Sequence, residues 1–247
     1  MEMDKIIKDF LNINTDEYMI LYMELFEYHF ANMNGNLYHN ENTNTYEMFS
    51  GIGTRKHLNY LTFKRLFQNM LEIKEPIILE SGIASAGTMS TYLFNEWVRK
   101  FGGRFWSVDT NESLVYHNQQ NMCPATTLVC NDSFTFFNDW VKQNENKKVD
   151  VTYLDSYDLD WYKPEPSALH GLYEYVALLP AFKKGSLLLI DDTPIHPYWL
   201  DSRGDLYSDM VTFYNNNKYL PGKGMHVLKV NNRAEILLHN YQVLYKF

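Results

Sequence analysis

Carboxylates stand at the ends of several apolar runs in this chain, and their positions are where chemistry is expected. Val149 to Leu154 runs directly into Asp155-Ser156-Tyr157-Asp158, and Ser186 to Ile190 runs into Asp191-Asp192. In an open α/β sheet, ligands bind outside the carboxyl ends of the strands. Asp155, Asp191 and Asp192 lie at two such ends, and if those two strands are sheet neighbours they would offer three hard oxygen donors suited to Mg²⁺ or another oxygen-loving divalent cation. Taken singly, each has an ordinary explanation as a helix cap or strand terminator.

A second candidate site runs from Pro76 to Met89. Ile77, Ile78 and Leu79 form an apolar run of the kind found in a strand buried on both faces, and Glu80 ends it. Gly82, Ala84, Ala86 and Gly87 then let a ligand approach the backbone, and a helix is expected from Thr88. Strand, small-residue turn and helix start make a nucleotide-type site, because turn amides and a helix N-terminus face the ligand. The dinucleotide fingerprint would need glycine at position 84, where Ala84 stands. Asp109 follows the next strand, Arg104 to Val108, at the distance of a βαβ unit. A carboxylate there accepts from both hydroxyls of a ribose, or else caps the helix that follows.

These residues need a scaffold, and the sequence supplies strand and helix patterns in alternation. Residues 1–33 and Thr54 to Leu71 have apolar residues at helical spacing, whereas Met33 to Ser50 is polar and reads as a loop over a site. Helices are expected from Thr88 to Lys100 and after Asn131-Asp132-Ser133. Another is expected from Ser167 to Leu179, and one more within Tyr198 to Tyr219, with Asn215-Asn216-Asn217 as a turn. Strands are expected at Thr126 to Cys130, and as an antiparallel pair at Ala234 to His239 and Tyr241 to Phe247. Gly222 to Asn231 fits helix or strand. Five βα repeats point to an α/β, Rossmann-like, doubly wound, mostly parallel sheet. The division expected is a helical extension and substrate cap over 1–72 and a ligand-binding domain over 73–247.

Composition narrows the function classes. Of 247 residues, 45% are hydrophobic and 16% aromatic, enough for a sizeable core, and the formal charge of −8 lacks the basic footprint of a nucleic-acid binder. Cys123 and Cys130 lack the spacing of a zinc site and fit a reducing, cytoplasmic setting. Signal-peptide features and membrane-length apolar runs are not seen in the sequence, so no membrane partner is expected.

The motifs resemble class I S-adenosylmethionine-dependent methyltransferases, from about Ile73 to Phe247. Within that class they are similar to the macrocin and aminocoumarin-sugar O-methyltransferase group. The resemblance is carried by Glu80-Ser-Gly-Ile-Ala-Ser-Ala-Gly-Thr88, Val108-Asp109, Tyr153-Leu-Asp-Ser-Tyr-Asp158, Leu189-Ile-Asp-Asp-Thr193 and Tyr241-Gln-Val-Leu-Tyr245. It implies a seven-strand sheet with an antiparallel last strand. It also implies S-adenosylmethionine as cofactor, with Glu80, Gly82, Ala84 and Thr88 along its methionine part, Asp109 on the ribose, and Asp132 with Ser133 facing the adenine. A divalent metal at Asp155, Asp191 and Asp192 would bind two vicinal substrate oxygens. The related group carries a candidate base two residues after the first metal ligand. Here that position is Tyr157, and Asp158 comes one later.

The expected reaction is in-line methyl transfer to a hydroxyl of a small molecule, a sugar among the candidates, with the reacting atoms held in line. Asp155 and Asp158 are the catalytic candidates, with His170 and His196 as alternative bases. Two rivals stay open: a nucleotide-sugar enzyme of the glycosyltransferase kind, and a catalytically silent cofactor-binding partner. A homodimer also stays open.

Overall fold

The computed structural model describes residues 25–31, 38–40, 45–47, 56–83, 87–197 and 205–247. The readings for residues 1–24 and for Ala84 and Ala86 therefore lie outside the described residues. In chain order the strands are β1 (Tyr38–Asn40), β2 (Thr45–Glu47), β3 (Lys56–His57), β4 (Ile77–Ser81), β5 (Arg104–Asp109), β6 (Thr126–Cys130), β7 (Val149–Leu154), β8 (Phe182–Ile190), β9 (Glu235–His239) and β10 (Val243–Lys246). Residues 25–31 are helical. The later helices are α1 (Tyr60–Met70), α2 (Ser90–Phe101), α3 (Glu112–Gln119), α4 (Ser133–Gln143), α5 (Glu165–Leu178), α6 (Asp205–Asn217) and α7 (Met225–Val230).

β4 to β10 form one seven-stranded sheet in the order β6-β5-β4-β7-β8-β10-β9. β4 pairs in parallel with β5 and β7, β5 with β6, and β7 with β8, while β10 runs antiparallel to both β8 and β9. This is the expected doubly wound sheet with an antiparallel last strand. The chain first builds outward from β4 through β5 to β6, then returns to add β7 on the other side. The β4–β7 junction is therefore a topological switch point, where the strand ends splay around a crevice.

Alternation along each central strand splits the core in two. Ile78, Val151, Tyr153, Leu187 and Leu189 face one layer with Phe26, α1 and α2, whereas Leu79, Leu154, Leu188 and Ile190 face the other with α4, α5 and α7. The first layer is largely aromatic. Phe67 lies 5.5 Å from Phe94, Phe63 lies 5.1 Å from Tyr153, and Phe94 lies 5.5 Å from Phe105. Each fully buried Phe contributes about 1.5–3 kcal/mol over its exposed state. That layer ends at Tyr153, whose hydroxyl leaves the apolar packing for the carboxylates at the strand tips.

Three expectations need correction. The 33–50 stretch, read as a loop, contains β1 and β2, which pair with each other, and β1 also pairs with β3. Asn215-Asn216-Asn217, read as a turn, forms the last turn of α6, where the Asn217 side-chain amide donates to the Phe213 carbonyl at 3.0 Å. Lys183-Lys184-Gly185, read as the turn before a strand, already belongs to β8. The ambiguous segment after Gly222 is helical as α7.

Candidate active site

The turn after β4 is held against the neighbouring strand ends by backbone bonds. Gly82 N donates to Val108 O and Asp155 N donates to Ser81 O, both at 2.9 Å. Gly82 has φ +85°, and a Cβ there would sit 2.5 Å from the Asp155 carbonyl oxygen. Only glycine accepts both the dihedral and the approach. Beside this turn lies an open cleft of about 650 Å³, within the usual range for small-molecule sites. Its lining includes Gly82, Asp109, Asp132, Ser133, Asp155 and Asp158.

Asp109 does not cap α3, because Asn111 does so by accepting from Leu114 N at 3.0 Å. Asp109 instead accepts from Ile83 N at 3.1 Å and Asn111 N at 2.8 Å, which fixes its carboxylate at the cleft with further lone pairs to spare. Asp132 both caps α4, through Thr135 N at 2.9 Å, and lines the cleft. The Ser133 hydroxyl lies 2.9 Å from His170 Nε2, and His170 lies 3.5 Å from Glu174. Hydrogen bonding to Glu174 raises the His170 pKa against the opposing effect of burial. Ser156 donates to the same buried Glu174 at 2.7 Å, so one carboxylate ties two walls of the cleft together.

Two of the expected cofactor residues stand elsewhere. Glu80 is fully buried beneath the turn and accepts from Ser90, Thr91 and Ser107 hydroxyls, each at 2.6 Å. Burial pushes its carboxyl up to about 7 despite those bonds. Thr88 is also buried, accepting from Asn59 Nδ2 at 2.5 Å through its hydroxyl. Neither lines the cleft. Asp158 does, with an exposed side chain, and of the alternative bases His170 does as well.

Asp155, Asp191 and Asp192 come together as expected, each offering a carboxylate oxygen within 4.8 Å of the others. Their oxygens are, however, already engaged. Lys223 Nζ lies 2.6 Å from Asp155 Oδ1 and 3.1 Å from Asp192 Oδ2, and its side chain is only 5% exposed. Gln242 Nε2 donates to Asp191 Oδ1 at 2.9 Å. The Tyr153 hydroxyl lies 2.8 Å from Asp191 Oδ2 and 3.1 Å from Asp155 Oδ2, and Tyr241 donates to Asp192 Oδ1 at 2.5 Å. Burial, then repulsion from Asp155 and Asp192, pushes Asp191 well above the carboxylate range. Burial opposes charge on Lys223, yet the facing carboxylates outweigh it and hold the ammonium protonated. The donor chemistry thus suits a hard cation, but an ammonium already stands against two of the three carboxylates.

Sequence reasoning missed Lys223, Tyr153, Gln242 and Glu174. For Lys223 a signal existed: it stands between Gly222 and Gly224, an unusual place for a flexible side chain unless the backbone must pack tightly.

The sheet order, with its antiparallel last strand, is that of a Rossmann-like methyltransferase fold. No protein-family model matches the sequence, nor does any curated protein. Among solved structures, the calicheamicin methyltransferase CalS11 aligns with a TM-score of 0.51 at 14% identity, over 76% of this chain and 77% of that one. Its apo structure, described as a TDP-rhamnose 3'-O-methyltransferase in calicheamicin biosynthesis, gives the same TM-score and coverage at 16% identity. Among the described residues, no helix is long and apolar enough to cross a membrane.

Proposed function

We propose that this chain is an S-adenosylmethionine-dependent methyltransferase acting on a hydroxyl of a small molecule, with a sugar as the leading acceptor class. The observation that carries this is the cleft at the β4–β7 switch point, where Gly82 opens the backbone and Asp109 stands at the end of the adjacent strand. The likeness of fold to CalS11 supports it.

The residues fit the cofactor by chemistry. Asp109 keeps lone pairs for a ribose diol, and Asp132 and Ser133 border the side of the cleft suited to an adenine edge. When bound, S-adenosylmethionine supplies an electrophilic methyl group. Asp158, exposed in the cleft, takes the acceptor's hydroxyl proton on a carboxylate oxygen. Asp155 orients the acceptor rather than deprotonating it, because Lys223 holds one of its oxygens and Tyr153 contacts the other. His170 borders the same space and is held in place by Ser133 and Glu174. No step calls for a divalent ion.

Calorimetric titration of S-adenosylmethionine, S-adenosylhomocysteine and nucleotide sugars tests this. Binding of the first two is expected. Asp109→Ala should weaken it by ~3–4 kcal/mol, from two charge-assisted bonds at roughly 1.5–2 each. Binding of nucleotide sugars alone, or unchanged affinity in the variant, would overturn the assignment.

A further inference from the structure

We propose that Lys223 is the resident cation of the Asp155–Asp191–Asp192 cluster, holding these carboxylates in place of a divalent metal. The inference concerns the cluster itself and stands whether or not the cleft transfers methyl groups.

Three observations carry it. The first is position: Nζ lies within ion-pair distance of both Asp155 and Asp192, which follow the neighbouring C-terminal ends of two parallel strands, so one buried ammonium bridges the tips of β7 and β8. The second is saturation, since both Asp191 oxygens accept from Gln242 and Tyr153, and Tyr241 donates to Asp192. Gln242 is itself fixed, its Oε1 accepting from the buried Thr62 hydroxyl. A metal would have to strip these partners away and displace the buried ammonium.

The third is the way the backbone is built to bring Lys223 there. Lys223 N donates to Asp192 O at 3.2 Å, and Gly224 N donates to Thr193 Oγ1 at 2.8 Å. A Cβ on Gly222 would collide with the Asp192 carbonyl oxygen. One on Gly171 would lie 2.6 Å from the Lys223 carbonyl oxygen, and one on Gly224 would lie 2.8 Å from Thr193 Oγ1. Three glycines, on α5 and on both sides of the lysine, thus clear the space that seats this loop against the strand tips. Such a seat suits a permanent structural cation. An ion pair that is broken on one side leaves uncompensated buried charge, which is strongly destabilising.

Mn²⁺ titration of the full chain, followed by calorimetry and thermal shift, provides the test. Wild type should bind no Mn²⁺ up to millimolar concentration, and EDTA should leave its melting temperature unchanged. Lys223→Met, which keeps the stem but removes the charge, should melt lower and gain Mn²⁺ binding at least tenfold tighter than wild type, with Mn²⁺ raising its melting temperature. Submillimolar Mn²⁺ binding by wild type overturns the proposal, as does a folded Lys223→Met that gains no binding. Amine labelling of wild type read by mass spectrometry decides the case where that variant fails to fold. Lys223 should stay unlabelled with or without Mn²⁺, and Mn²⁺-dependent labelling would show the metal displacing it and overturn the proposal.

Discussion

Glu80→Gln should make the protein more stable at neutral pH, although it removes a carboxylate bound by three hydroxyls. Burial raises the Glu80 pKa from 4.5 to about 7, and repulsion from Asp109 adds to that, while the three hydroxyls oppose it. Between those pH values the folded chain keeps a proton that the unfolded chain has released. Stability from this group is therefore full below about pH 4.5 and lost as pH rises toward 7. The difference between 4.5 and about 7 corresponds to about 3 kcal/mol. Glutamine is neutral at every pH. Its oxygen can accept from Thr91 and Ser107 as Glu80 Oε2 does, and its amide can donate to a rotated Ser90 hydroxyl. Urea unfolding from pH 5 to 8 should therefore show the wild-type free energy falling relative to the variant, with most of the gap opened by pH 8. Because the carboxyl faces those hydroxyls and not the cleft, cofactor affinity should stay within about threefold, or 0.7 kcal/mol. Parallel pH profiles for the two proteins would refute the reasoning, and a loss of affinity beyond tenfold would refute the placement.

Two further outcomes follow from the geometry. Gly82→Ala should cost more than about 2 kcal/mol, because it combines a positive φ with a backbone clash, and should abolish cofactor binding in calorimetry. Burial, with a further contribution from nearby His29, lowers the His57 pKa to about 4. Its contribution is present above pH 6.5 and lost as pH falls toward 4, so His57→Gln should shift acid unfolding, followed by circular dichroism, to lower pH.

The sequence made the sheet's centre easy to read, because parallel strands covered on both faces appear as short apolar runs. Thr126–Cys130 and Val149–Leu154 have the expected boundaries for that reason. β8 is four residues longer than its sequence pattern suggests, since Lys183-Lys184-Gly185 looks like a turn, whereas Gly185 N donates to Phe247 O, a partner far along the chain. Asn215-Asn216-Asn217 misled in the opposite way: a local polar tract suggested a break, while α6 is held by buried Leu206 and Met210 one to three turns earlier. The carboxylate trio was legible because each member ends a strand. Its lysine was not. The partners of Lys223 lie at positions 155 and 192, and no local pattern links them to a lysine in a glycine loop. Glu80 shows a similar limit, since a motif marks which residue matters but not which way its side chain turns.

The place of β10 between β8 and β9 has a consequence for how the molecule is made. During synthesis the edge of β8 is complete once Ile190 has left the ribosome, but its neighbour begins only at Val243. About fifty more residues must be added, which takes roughly 3 to 10 s at the usual rate of 5–20 residues per second. Throughout that interval β8 presents Leu187 to Ile190 as an unpaired, wholly apolar ribbon, open to pairing with another nascent chain. The acidic tips of β7 and β8 gain their cation sooner, with Lys223 about thirty residues on, but their neutral donors Tyr241 and Gln242 emerge only just before β10. The half-made sheet is therefore sticky along its edge until the last short strand is added, well after the lysine has quieted its tip.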